Sequence, residues 1–109
     1  MIRMGWVIAL NADHIDKYRK LHENAWPGVL SMITRCNIKN YTIYLREPEN
    51  LLFASFEYHG KDYEADMALM AQDSVTQEWW SLTDPCQTPL KSAKTGENWA
   101  PMVEVFHHD

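Results

Sequence analysis

The middle of the chain places the tightest limit on what it can fold into. Ile38 to Arg46 and Leu51 to Tyr58 are two runs with a side-chain period of two, separated only by Glu47-Pro48-Glu49-Asn50. Such a period reads as strand, and Pro with Asn between two strand runs reads as a turn. The pair is expected to form an antiparallel hairpin. In its first strand Tyr41, Ile43 and Leu45 face one way, and Asn40, Thr42, Tyr44 and Arg46 the other.

The flanks of the hairpin then fix the class. Ile2 to Leu10 alternates with mostly apolar residues on both faces, a strand that can be covered on each side. Asn11-Ala12-Asp13 offers capping side chains for a helix from about His14 to Trp26. Pro27 disfavours helix at Trp26 but suits the first turn of a second helical piece, which carries Val29, Leu30, Met32 and Ile33 and fades by Cys36. After the hairpin, helices are expected over residues 61–71 and 74–82, then an irregular stretch over 84–101 and a last short strand from Met102 to Phe106. The order βα, ββ, α, β predicts an α+β fold: a ferredoxin-like sandwich, an antiparallel sheet with helices on one face. Residues 1–109 are expected to form a single domain. The uncovered sheet face is one that a second copy of the chain could cover.

Bulk properties exclude several function classes. The net charge is −5 with only ten basic residues, and the sole basic pair is Arg19-Lys20, so neither nucleic acid nor an anionic membrane is an expected partner. No apolar run is long enough to span a bilayer, and the N-terminus lacks the pattern of a signal peptide. Cys36 and Cys86 stand alone, which suits free thiols and a cytoplasmic location better than a disulfide scaffold. The four glycines are scattered and make no phosphate loop. The histidines lack metal-site spacing, so no metal is expected, and nothing marks either cysteine as an activated nucleophile.

What remains is one polar helical stripe. Tyr18, His22 and Trp26 are four residues apart, which places them on one helix face. A helix buried only for stability would carry Leu or Ile there. His22 is the side chain best matched to proton transfer near neutral pH. A lone histidine is more often a structural residue with a satisfied hydrogen bond, but a phenol beside it can hold a substrate hydroxyl. Trp79 and Trp80 point about 100° apart on a helix, so one is expected to pack and the other to line a cleft. The Met67 and Met70 stripe reads as core, and Asp62, Glu64 and Asp66 as a solvated face.

Together these residues are familiar. The opening Met-Ile-Arg strand, Tyr-x-x-x-His-x-x-x-Trp-Pro at 18–27, Asn40-Tyr41 leading into Ile43-Tyr44-Leu45, Asn50-Leu51-Leu52-Phe53, Trp79-Trp80 before Asp84, and Glu104-Val105-Phe106 resemble the L-rhamnose mutarotase family over nearly the whole chain. The resemblance implies a dimeric α+β barrel, a cytoplasmic homodimer working without a cofactor. It implies His22 as the proton donor, with Tyr18, Tyr41, Trp79 and Trp80 binding the sugar. The monosaccharide would be L-rhamnose or another 6-deoxy sugar such as L-fucose. Two readings of other classes stand beside it: a small α+β-barrel monooxygenase, which shares the expected fold and would act on an aromatic substrate, and a non-enzymatic sugar-binding or dimerisation module.

Overall fold

The computed structural model describes residues 1–109. Strand β1 (Ile2–Leu10) leads through a 3₁₀ turn (Ala12–His14) into α1 (Ile15–Glu23), and α2 (Pro27–Arg35) follows. The hairpin β2 (Ile38–Arg46) and β3 (Leu51–Tyr58) comes next, then α3 (Tyr63–Gln72) and α4 (Ser74–Thr83). A second 3₁₀ turn (Asp84–Cys86), β4 (Gln87–Thr88) and β5 (Ala100–Met102) complete the chain. The sheet is antiparallel with order β2-β3-β1-β4, and β5 pairs with the same edge of β1 further along. That is the ferredoxin-like order with its last strand split into two pieces.

Even-numbered residues of β1 and β3 face the helices. Ile8, Leu10 and Leu52 form one core cluster with Tyr18 and Cys86. Phe56 and Tyr58 form another with Met32, Cys36, Ile38 and Met70. The hairpin contains an irregularity that period-two reading alone does not reveal. Lys39 lies opposite Glu57 and Thr42 opposite Ser55, so both Asn40 and Tyr41 oppose Phe56. This is a β-bulge, and Asn40 adopts the left-handed φ of 52° that it requires. The extra residue shifts the parity, so that Ile38 and Tyr41 both face the helices.

The predicted first helix is shorter than expected. It ends at Glu23, and Trp26 is extended (φ −65°, ψ 134°) ahead of Pro27, the conformation proline imposes on the residue before it. Neither Asn11 nor Asp13 caps α1 with its side chain. The later helices are capped instead: Asp62 accepts from the Ala65 N–H, and Asp73 from the Thr76 N–H and hydroxyl.

Two further expectations are corrected. The last strand is Ala100–Met102, not Met102 to Phe106, and residues 103–109 leave the sheet. Asp66 does not belong to a solvated face: it is half-buried and accepts hydrogen bonds from Tyr58 Oη at 2.5 Å and Asn37 Nδ2 at 3.0 Å. These two donors hold its carboxyl below the usual carboxylate range.

Candidate active site

The site begins with the break between α1 and α2. Helix α1 ends at Glu23, one residue past His22, and Trp26 stands extended before Pro27 at the start of α2. Gly28 lets α4 come close: a Cβ there would lie 2.9 Å from Val75 Cγ1. The approach brings Trp79 against both earlier aromatics, edge-on to His22 at 5.2 Å and to Trp26 at 5.3 Å between ring centroids. Trp26 therefore braces Trp79, and Trp79 braces His22. Tyr18 completes the group, with its ring centroid 4.2 Å from that of His22.

The hydrogen bonds settle which atoms carry protons. His22 Nδ1 lies 2.8 Å from the Tyr18 carbonyl oxygen. A carbonyl only accepts, so Nδ1 donates and its hydrogen is fixed there. The other ring nitrogen, Nε2, has no protein partner. Burial lowers the His22 pKa below its ordinary 6.5, with the backbone bond opposing the shift. Neutral His22 therefore offers a lone pair at Nε2, the atom of a general base. Tyr18 is 4% exposed, and burial pushes its phenol pKa up, so it stays protonated through the physiological range. Its oxygen accepts a hydrogen bond from Gln87 Nε2 at 3.1 Å.

The core cluster that holds Tyr18 borders a cavity through Trp99, which packs against that cluster and also walls the cavity. Tyr41 belongs to the cavity wall, its ring packed on Phe56 at 5.4 Å. The cavity, about 220 Å³, is walled by Trp6, Tyr41, Ala54, Phe56, Tyr63 and Trp99. That is below the roughly 300–1,000 Å³ typical of drug-sized ligands, and suits a smaller molecule. Tyr18 and His22 are not among its lining side chains. Tyr41 is 42% exposed overall, yet desolvation raises its phenol pKa, as it does for Tyr63. Trp6 Nε1 is buried without a hydrogen-bond partner in the protein, an indole donor left over beside this cavity. A larger, shallower groove of about 650 Å³ follows the outside of α1, lined by Asp13, Asp16, Lys17 and Lys20 among others. It holds none of the acid–base residues, and its mixed charges mark a solvated surface.

Of the five residues singled out by sequence, the structure brings three into contact, Tyr18, His22 and Trp79, and places Tyr41 in the wall of the cavity. Trp80 stands apart. It is 36% exposed and belongs to none of the ring pairs around His22. Trp79, 6% exposed, packs and meets His22, and neither indole of the pair is among the side chains that wall the cavity. Sequence reading missed Trp6, Tyr63, Gln87 and Trp99. Trp6 was accessible through its parity with Ile8 and Leu10. Gln87 and Trp99 lie in a stretch with no periodic signal.

Fold and site together define a small α+β protein of ferredoxin-like topology, with an imidazole–phenol pair beside an aromatic cavity. The model of the L-rhamnose mutarotase family matches residues 3–108. Among curated relatives, the L-rhamnose mutarotase of Oceanobacillus iheyensis is 30% identical over 100% of both chains. That of Escherichia coli O8 is 33% identical over 84% of this chain and 91% of its own. A crystal structure of an L-rhamnose mutarotase from Formosa agariphila superposes with a TM-score of 0.79, covering 100% of both chains at 20% identity, a likeness of fold. The chain belongs to the L-rhamnose mutarotase family.

Proposed function

We propose that this protein is a sugar mutarotase, an isomerase that interconverts the α and β anomers of L-rhamnose by opening and reclosing the ring. The observation that carries the reading is His22, whose Nδ1 is committed to a backbone carbonyl while Nε2 is free, next to a buried phenol. Family membership supports this chemistry over the monooxygenase and binding-module alternatives.

The resting histidine is neutral, so the base step comes first. His22 Nε2 takes the proton of the anomeric hydroxyl. The O–H electron pair forms the C1 carbonyl, and the C1–ring-oxygen bond breaks with its pair on the ring oxygen. The imidazolium then delivers the same proton to that oxygen, since both oxygens are bonded to C1 and lie within reach of one nitrogen. C1 turns in the open-chain aldehyde, and the steps run backwards from the other face. The ring-proton delivery that the resemblance assigns to His22 is thus the second half of a shuttle. One such acid–base group supplies typically 10²–10⁴-fold in rate. Tyr18 and Tyr41 would hold sugar hydroxyls, and Trp79, with the cavity aromatics, would cover the apolar sugar face. Trp80 would contribute from the rim.

The reading extends to assembly and location. A homodimer would cover the sheet face opposite the helices. A cytoplasmic protein fits two buried free thiols, and no helix is long and apolar enough to cross a membrane. Residues 1–109 would act as one domain.

The test is anomer exchange followed by saturation-transfer NMR with L-rhamnose and L-fucose in parallel. Wild type is expected to accelerate L-rhamnose exchange, and His22→Ala to lose about 10²–10⁴-fold while keeping its circular dichroism. Faster exchange of L-fucose would reassign the substrate, and undiminished exchange by the variant would remove His22 from the mechanism.

A further inference from the structure

Gln87 is not part of the acid–base pair, yet it is the only side chain that hydrogen-bonds the Tyr18 hydroxyl. Its setting is firmly built. The segment that carries it is fastened to the end of β1 through Asn11. The Asn11 N–H donates to the Cys86 carbonyl at 2.8 Å, Asn11 Nδ2 donates to the Pro85 carbonyl at 3.1 Å, and the Thr88 hydroxyl donates to Asn11 Oδ1. Gln87 itself pairs with Leu10 in the sheet. Tyr18 is equally fixed, packed among Ile8, Leu10, Leu52 and Cys86.

The direction of the bond matters. An amide nitrogen can only donate, so the Tyr18 oxygen is the acceptor and its own hydrogen is left without a protein partner. We infer that Gln87 is a positioning residue that turns Tyr18 into an obligate hydrogen-bond donor toward the sugar. By occupying a lone pair of the phenol oxygen, it stops the hydroxyl from accepting from a substrate hydroxyl in that direction and aims the O–H at a substrate oxygen. A donor bound to the phenol oxygen also polarises the O–H and strengthens the bond it gives. The oxygen that gains most from such a donor is the ring oxygen, which carries the developing negative charge as the C1 bond breaks. The inference rests on the mutarotase reading for its substrate, but the bond's direction does not.

Two substitutions separate this role from simple packing. Gln87→Met keeps the volume and removes the donor. Gln87→Glu keeps a hydrogen bond to Tyr18 but, as a carboxylate, reverses it and pulls the phenol hydrogen away from the sugar. The expected result is a fall in kcat of about tenfold for Gln87→Met with little change in KM, smaller than the roughly hundredfold attached to a misplaced catalytic group. Gln87→Glu should fall further, although it preserves a contact. In a Tyr18→Phe background, Gln87→Met should have no additional effect on kcat. A second readout does not depend on turnover. With tyrosine labelled at Cζ with carbon-13 and Tyr18 assigned by Tyr18→Phe, its resonance should move downfield from wild type to Gln87→Met and again to Gln87→Glu, as the phenol passes from acceptor to donor. A Gln87→Glu spectrum matching wild type would mean that Tyr18 donates to Gln87 and would overturn the inference, as would an undiminished Gln87→Met effect without the Tyr18 hydroxyl. Failure of wild type to accelerate any sugar would count against the mutarotase reading alone, because the resonance order would still decide the bond.

Discussion

At the scale of single residues, the site depends on where burial puts protons. His22 and Tyr18 are neighbours on one helix, yet burial moves their pKa values apart, His22 down and Tyr18 up. Each shift favours the neutral form, so at neutral pH the pair is one free lone pair and one O–H. Two pH dependences follow. Because the first step needs neutral His22, kcat/KM should rise with pH and level off, with a midpoint below the ordinary histidine value of 6.5. A midpoint above 6.5 in a pH–rate profile would contradict the base-first order. Stability follows the same sign: as pH falls below 6.5 the unfolded chain takes the proton before the folded one. The contribution of neutral His22 is therefore complete above that pH and is lost on acidification toward the folded value. Tyr18 works oppositely, contributing below its ordinary 10.0 and losing that contribution as pH rises beyond it. The tryptophans give a second residue-scale test. Trp79→Phe removes the indole edge that meets both His22 and Trp26, and it should slow anomer exchange by about 10–100-fold, the scale of a small displacement of a reacting group. Trp80→Phe, on the exposed side of α4, should stay within about twofold of wild type in the same saturation-transfer measurement.

At the scale of elements, the bulge in β2 decides whether Tyr41 reaches the cavity at all. Without the extra residue at Asn40, a strand that buries Ile38 would turn Tyr41 to the opposite face with Lys39. Asn tolerates the left-handed conformation this requires, whereas a β-branched residue does not. Asn40→Val should cost about 1–2 kcal/mol in a denaturant titration, and Asn40→Gly only a fraction of that. The Val variant should also raise KM for the sugar, because the strain is relieved by shifting Tyr41. Equal stability of the two variants would show that the bulge is not held by this residue. The same bulge illustrates what a sequence discloses. Hairpin, helices and strand order were legible because they rest on local period and on Pro27 and Pro48, each acting on its own neighbours. The inward direction of Tyr41 followed from its parity with Ile43 and Leu45, but the shift that lets Ile38 share that face did not, since nothing in Asn40 announces an unpaired residue. The stripe on α1 was legible as spacing, but Trp26 reaches the site from outside the helix. Its contact is with Trp79, some fifty residues on, and only the approach of α2 and α4 over Gly28 creates it. Gln87 and Trp99 reach the site through tertiary pairing of a segment without periodicity, which no local rule predicts.

At the scale of the molecule, the sheet poses the remaining question. Its helix-facing side holds the core and the cavity, whereas the opposite side carries a row of Val7, Phe53 and Tyr44 in register across three strands. Tyr44 is 64% exposed, and the segment beyond β5 adds Val105 at 94% and Phe106 at 81%. An apolar row of this kind on a sheet face without helices is costly to leave in water. A second copy, meeting it face to face, would bury it without touching the cavity on the other side, which is the geometry of the homodimer proposed above. Sedimentation or light scattering should give twice the monomer mass of 12.8 kDa. Placing charge in the row with Tyr44→Glu and Phe53→Glu should yield monomers, since a buried unpaired carboxylate costs several kcal/mol. Far-ultraviolet circular dichroism should be retained, because neither side chain belongs to the two core clusters. If dimers form in wild type and persist in the double variant, the contact lies elsewhere, with the edge of β1 and the extended residues 103–106 as the next place to substitute. A wild-type protein that sediments as a monomer at micromolar concentration would instead mean that this row stays solvated, and the dimer would have to be abandoned.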